Sequence, residues 1–464
     1  METAPLFPLT ILLLGGAGVC LAGRTLHGNT TRPAVLSWMI LLGAFLACIR
    51  LWGVRLSTFG LLGSDLPSQF LSLLVLFGVA GTLPLVRTTF LRGEIKEEHA
   101  SRVFGSVLVA SAGMLLMIST RNLGIIFLAI EVVWIGFVSF SVGLRSENRY
   151  LTLTSGISSF ALILGLVLFW LDTGQLDVAS IETVLLSRGL EPGWISGVAL
   201  WSFVLGLVFK LAAIHFGGRR ARGSAFALGA TVQVAVFGTL LRVTSWSLVS
   251  EDAWKLLLGG VAVVFFGVAS LMMARSGIGH RSWSFAQLGQ VGVILMGLTV
   301  GGEAGRCSVL LYLVSYIFAS VGVVGTAMVL QSNPADSALF SSWKGMGWRH
   351  PVLAGAMGVF LFSFAGVPPT IGFWGRFQVY LASVEGGFAL LLAAALLNML
   401  FGYTFYLRPL TTMWTDTTSA TPRTLPATIG VKLVVVVCVG VVLISGVVPE
   451  PLLSLTQRVA LEFF

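Results

Sequence analysis

Charge is what this chain has least of. Asp, Glu, Lys and Arg together make up 10% of its 464 residues, against about a quarter in an ordinary soluble domain. A soluble chain of this length would split into two or three domains, each needing a polar shell, and too few charges are present to cover them. Cysteine is scarce as well. Cys20, Cys48, Cys307 and Cys438 lie in apolar runs without CxxC or CxxH spacing, which argues against a disulfide framework or a metal site and for buried thiols. The histidines (His27, His99, His215, His280, His350) are scattered, with no two at i, i+3 or i+4. There is no nucleotide-binding glycine loop, no haem-type histidine pair and no iron–sulfur cysteine set. The chain is therefore expected to carry no cofactor and no electrons of its own.

What is abundant is apolar length. The chain is 56% hydrophobic, with a mean hydropathy of +0.94. In hydrocarbon every backbone N–H and C=O must be paired internally, so only helices or closed barrels span a bilayer. Barrel strands alternate over about ten residues. Here the apolar runs last about twenty residues without alternation, the length of a spanning helix. The expected fold is an all-α polytopic membrane protein of about fourteen spans, near 5–23, 34–54, 66–86, 101–119, 121–143, 150–171, 194–216, 223–244, 253–275, 281–300, 304–330, 350–384, 386–408 and 427–447. The twelfth is broken by Val367-Pro368-Pro369, and Ile181–Ser187 reads as a short surface helix. The start, Met1-Glu2-Thr3, is acidic, so the first run reads as a retained span rather than a cleaved signal.

The net charge is +9, but the basic residues sit mostly between spans and act as topology signals, so nucleic acid is not an expected partner. Eighteen follow odd-numbered spans and eight follow even-numbered ones. Basic loops favour the cytoplasm, so both termini are expected on the non-cytoplasmic side of the cell inner (plasma) membrane.

Two basic residues remain inside spans, Lys210 in the seventh and Arg376 in the twelfth, and Glu131 lies midway along the fifth. A charge at a helix centre costs roughly 2.5–3.5 kcal/mol on insertion scales, so retained ones mark an ion or proton path or a structural ion pair. Burial disfavours both charges of an acid–base pair while mutual attraction favours both, so a buried pair sits near a balance point that a neighbouring charge can tip. Arginine cannot release a proton under these conditions, which makes Arg376 a source of field rather than a carrier.

At these residues the sequence resembles the antiporter-like, proton-translocating subunits of respiratory complex I and the related cation antiporters and membrane hydrogenases, and among them the N-type subunit of NADH–quinone oxidoreductase. The resemblance covers roughly residues 65–415. Residues 121–131, Arg-Asn-Leu-Gly-Ile-Ile-Phe-Leu-Ala-Ile-Glu, are similar to the family's fifth span with its essential glutamate, at Glu131. Residues 206–213, Gly-Leu-Val-Phe-Lys-Leu-Ala-Ala, are similar to the motif holding the central lysine, at Lys210. Residues 363–377, Ser-Phe-Ala-Gly-Val-Pro-Pro-Thr-Ile-Gly-Phe-Trp-Gly-Arg-Phe, resemble the broken twelfth span, and Phe405-Tyr406-Leu407-Arg408 with Met413 the end of the thirteenth.

The resemblance implies two inverted five-helix repeats, at spans 4–8 and 9–13, with broken helices 7 and 12. It divides the chain into residues 1–100 (spans 1–3), 101–244 (first repeat), 253–408 (second repeat) and 427–464 (span 14 and tail). It implies a membrane-arm subunit of a proton-translocating NADH:quinone oxidoreductase, itself non-redox, with Glu131, Lys210 and Arg376 on the proton path and Gln233, Arg149, His215 and His280 on a secondary path. NADH, flavin, iron–sulfur clusters and quinone would belong to partner subunits; other membrane-arm subunits and lipids would be its partners. The family usually has lysine where this chain has Arg376, Gln233 and Arg149. The alternatives are a subunit of a non-redox cation/proton antiporter or inorganic-carbon transport complex, and a structural spacer whose relay is dead.

Overall fold

The computed structural model describes residues 4–22, 30–58, 60–143, 149–187, 194–216, 223–244, 251–275, 280–330, 343–415 and 427–463. Eighteen helices follow one another in order: α1 Leu6–Leu21, α2 Thr31–Arg50, α3 Leu66–Leu91, α4 Ala100–Ser119, α5 Leu123–Gly143, α6 Arg149–Thr173, α7 Val178–Ser187, α8 Trp194–Phe216, α9 Gly223–Thr244, α10 Glu251–Arg275, α11 His280–Val300, α12 Gly302–Leu330, α13 Met346–Arg349, α14 Pro351–Ala365, α15 Ile371–Glu385, α16 Ala389–Met413, α17 Ile429–Val447 and α18 Glu450–Leu461. Among the described residues twelve helices are long and apolar enough to cross a membrane; α1 and α14 are apolar but shorter. The chain is a multi-pass, nearly all-helical membrane protein.

Hydropathy located these helices but not their depth. α12 is the hub, touching α3, α9, α11, α14, α15, α17 and α18. α9 and α12 are buried around nearly their whole circumference, whereas α6, α10, α16 and α17 expose most of theirs. A helix apolar on all sides reads alike in the core and against lipid, so sequence alone cannot rank them.

The expected break in the twelfth span is real and divides it into α14 and α15. Gly366 ends α14 in the left-handed region at φ +75°, where glycine carries no Cβ penalty. Val367, Pro368 and Pro369 then carry the chain across, since proline cannot continue a helix, and α15 begins at Ile371. The two halves meet closely: a Cβ on Gly372 would lie 1.9 Å from the Ser363 carbonyl oxygen. Trp374 anchors the break to α17 by donating its indole N–H to the Gly446 carbonyl at 2.8 Å.

Two elements were not expected. A two-stranded antiparallel hairpin pairs Leu56–Thr58 (β1) with Leu62–Ser64 (β2), and Leu62 bridges to Thr120. α18, amphipathic rather than apolar, packs along α12 and α3. The surface helix expected at Ile181–Ser187 starts earlier, at Val178, where Asp177 caps it by accepting from the Ser180 backbone N–H at 3.2 Å.

Candidate functional site

α5, α6 and α8 build the first cluster. Gly206 of α8 lies against Leu162 of α6, where an added Cβ would sit 2.7 Å from Leu162 Cγ. Small residues at such contacts let membrane helices approach closely. That approach brings Ser159 of α6 to Lys210 of α8. Lys210 Nζ donates to Glu131 Oε1 at 2.8 Å and to Ser159 Oγ at 2.6 Å. The Ser159 hydroxyl lies 2.7 Å from Glu131 Oε1 and 2.9 Å from the Ser155 carbonyl, and shares its one proton between them. The ammonium also stands 5.2 Å from the centroid of the Trp134 ring, whose face attracts a cation. Lys210 is fully enclosed, at 0% side-chain exposure, while Glu131 is 27% exposed. Leu128 and Ile135, one turn either side of Glu131 on α5, are 60% and 63% exposed, so the acid emerges on an outward apolar face.

Arg376 of α15 belongs to a separate cluster beside the helix break. Its Nη2 donates to Phe364 O at 2.6 Å and to Gln290 Oε1 at 2.9 Å. Phe364 lies in the last turn of α14, where carbonyls lack helical donors and the helix dipole is negative. Gln290 Oε1 also accepts from the Tyr312 hydroxyl, and Gln290 Nε2 donates to the Tyr406 hydroxyl at 2.5 Å. Among the described residues no carboxylate lies within ion-pair distance of Arg376. A helix end, an amide and phenols hold it, not an acid.

Gln233 of α9 is fully buried. Its Oε1 accepts from the Tyr316 hydroxyl at 2.6 Å, and its Nε2 has no partner. Tyr316 is one helical turn from Tyr312 on α12. On α11, Gln287 precedes Gln290 by one turn, and both its polar atoms are buried and unpartnered. Buried amides without partners mark positions for ordered water. α8 packs on α9 and α11, and both of these pack on α12. A polar row thus runs from Gln233 and Tyr316 through Tyr312 to Gln290 and Arg376, and α8, which carries Lys210, packs on two of the helices that bear it.

Of the residues singled out from sequence, Glu131 and Lys210 come together, Gln233 lies on the row and Arg376 stands at its far end. Arg149, His215 and His280 fall within α6, α8 and α11, but their side chains lie outside the described residues. Sequence reasoning missed Ser159, Trp134, Gln287, Gln290, Tyr312, Tyr316 and Tyr406. One signal was available: the chain has six tyrosines, and Tyr312 and Tyr316 share a helix face inside one apolar run. Among the described residues no three His, Cys, Asp or Glu side chains gather to hold a metal.

Residues 119–402, which contain Glu131, Ser159, Lys210, Gln290, Tyr312 and Arg376, match the family model described as NADH:quinone oxidoreductase/Mrp antiporter, TM. The chain belongs to this family. Among its relatives is the NADH-quinone oxidoreductase subunit N of Parvibaculum lavamentivorans, 29% identical over 441 residues that cover 89% of this chain and 88% of the relative. A second subunit N, from Rhodococcus opacus, is 27% identical over 396 residues, covering 80% of this chain and 73% of the relative. The fold matches a chain of respiratory complex I from Thermus thermophilus with a TM-score of 0.80 and 23% identity, covering 97% of this chain and 99% of that one.

Proposed function

We propose that the chain is a proton-translocating membrane-arm subunit of a complex-I-like NADH–quinone oxidoreductase. The observation that carries this reading is the Lys210–Glu131–Ser159 triangle, an acid and a base in contact within helices long and apolar enough to cross a membrane. Membership of the NADH:quinone oxidoreductase/Mrp antiporter family and relatives named NADH-quinone oxidoreductase subunit N support it. The redox groups would sit in partner subunits, and neighbouring membrane-arm subunits would cover the outward face bearing Glu131.

A proton route through these residues would begin at Glu131. A charge arriving beside the exposed edge of Glu131 weakens its hold on Lys210, and the ammonium then gives a proton to the row. Gln233 does not titrate, so it acts by ordering water and by exchanging hydrogen bonds with Tyr316. Arg376 keeps its charge and repels an excess proton, setting the direction of release. One charge moved against 100 mV costs about 2.3 kcal/mol, which a pKa swing of under about two units supplies.

The remaining family features follow the same reading. α1 and the α14–α15 pair would complete fourteen spans, with residues 101–244 and 253–408 as inverted repeats. The excess of basic residues after odd-numbered spans supports both termini on the non-cytoplasmic side. A second reading, a subunit of a cation/proton antiporter, has less behind it: the chain shares its fold with a chain of the Mrp complex from Dietzia sp. at a TM-score of 0.78 and 17% identity, over 99% of this chain and 96% of that one.

The test is Glu131→Gln and Lys210→Ala in inverted vesicles. Each is expected to lower the proton-to-electron ratio while the assembly still forms. An unchanged ratio in both variants refutes the proton path.

A further inference from the structure

Two side chains of α5 reach Lys210, and only one of them can take its proton. Lys210 Nζ spends two of its three N–H donors on Glu131 Oε1 at 2.8 Å and Ser159 Oγ at 2.6 Å. It also stands 5.2 Å from the centroid of the Trp134 ring. Glu131 and Trp134 are three residues apart on α5, so they share a face one turn apart. α5 packs mainly against α4 and only slightly against α6. At Gly136 an added Cβ would lie 2.8 Å from Ala110 Cβ of α4, so the close approach is on that side. The two side chains that meet Lys210 differ in freedom. Glu131 is 27% exposed and opens on the outward apolar face. Trp134 is half-buried, and its ring stacks on that of buried Phe137, with centroids 6.3 Å apart and planes 25° from parallel.

We propose that Trp134 is a positioning residue for Lys210: its ring is a second resting place that keeps the ammonium in the site when Glu131 is drawn outward. This part for Trp134 rests on the proton path proposed above. The face of an aromatic ring is negative and attracts a cation, tryptophan most strongly, and the attraction grows where water is excluded. Lys210 is such a place, with 0% side-chain exposure. A contact of this kind is worth roughly a two- to thirty-fold preference for the occupied position. The indole differs from the carboxylate in one decisive way. Glu131 can accept the proton of Lys210, whereas an indole is a donor only and holds the ammonium without discharging it. When a charge at the outer edge pulls on Glu131, the ring and Ser159 keep Nζ in place and still protonated. The proton is then not carried back outward with the acid.

The test separates the charge of the ring from its bulk. In the full chain within its assembly, Trp134 is replaced by mono-, di- and tetrafluorinated tryptophan through nonsense suppression, beside Trp134→Phe and Trp134→Leu. Fluorine draws electron density off the ring face and weakens its pull on a cation while nearly preserving its shape. The proton-to-electron ratio in inverted vesicles is expected to fall with each added fluorine until it reaches the Trp134→Leu value, with Trp134→Phe between wild type and Trp134→Leu. A ratio unmoved by fluorination, with Trp134→Leu low, would mean that the indole acts by bulk alone and overturns the proposal. A wild-type ratio in Trp134→Leu overturns it as well. Lys210→Ala, run alongside, tells the two possible failures apart: a low ratio there leaves the proton path standing when the fluorinated series is flat, and a wild-type ratio removes both.

Discussion

Lys210 and Glu131 touch at 2.8 Å, yet only the lysine is enclosed: its side chain has 0% exposure and that of Glu131 27%. The pair is therefore asymmetric. Its acid is the end a neighbouring subunit can reach, and its base is the end that meets the interior. Removing one partner of a buried pair typically costs about 3–5 kcal/mol because the other charge is stranded. The side that faces out tolerates loss better, because solvent or a partner can compensate there.

Ser159 is the third corner of that triangle, and it donates to or accepts from both charged groups. Ser159→Ala removes a hydrogen bond to charged partners, worth about 1.5–3 kcal/mol, without removing a charge. Proton translocation in inverted vesicles is expected to fall several-fold with normal assembly. Wild-type translocation would show that the hydroxyl takes no part.

Arg376 offers a separate prediction. Its guanidinium donates to Gln290 Oε1 and the Phe364 carbonyl together, and alanine would leave Gln290 Oε1 to the Tyr312 hydroxyl alone and the Phe364 carbonyl to a long 3.4 Å bond from Gln290 Nε2. Arg376→Lys is expected to keep assembly and part of the translocation, since the positive charge remains at the end of α14. Arg376→Ala is expected to lose more of each. Equal losses in translocation rate would remove the fixed-charge role.

Asp65 gives a pH dependence at the membrane edge. Burial pushes its carboxyl up, but Arg242 and the hydrogen bonds from Arg242 and Ser68 outweigh this and hold it below the usual carboxylate range. A carboxyl depressed in the folded state stabilises above its unfolded pKa, about 3.9, and loses that contribution as pH falls through its folded pKa. In detergent melts, wild type is expected to exceed Asp65→Asn in Tm at pH 6–7, with the gap closing below about pH 4. A gap that stays constant from pH 7 to pH 3 contradicts this.

Much of this was legible in the sequence for identifiable reasons. The runs at 194–216 and 223–244 coincide with α8 and α9 because hydrocarbon forces all backbone bonding into one continuous apolar helix. The break at Val367-Pro368-Pro369 was legible because proline cannot donate. Glu131 and Lys210 stood out because a charge in a span demands an offset. Ser159 did not, because a serine in a helix can bond its own carbonyl four residues back, as it does to Ser155, and so sits in a span at little cost. Gln287 and Gln290 were obscured likewise: an amide is neutral, and its partners come from helices distant in sequence. The hairpin at 56–64 and α18 were missed because neither is long and apolar.

Proton release by Lys210 is the step everything else needs, and Lys210→Arg isolates it. Arginine keeps the positive charge beside Glu131 but holds its proton at every relevant pH. The measurement is the proton-to-electron ratio of the assembled variant in inverted vesicles. Normal assembly with a lowered ratio is expected; a wild-type ratio would show that Lys210 keeps its proton throughout.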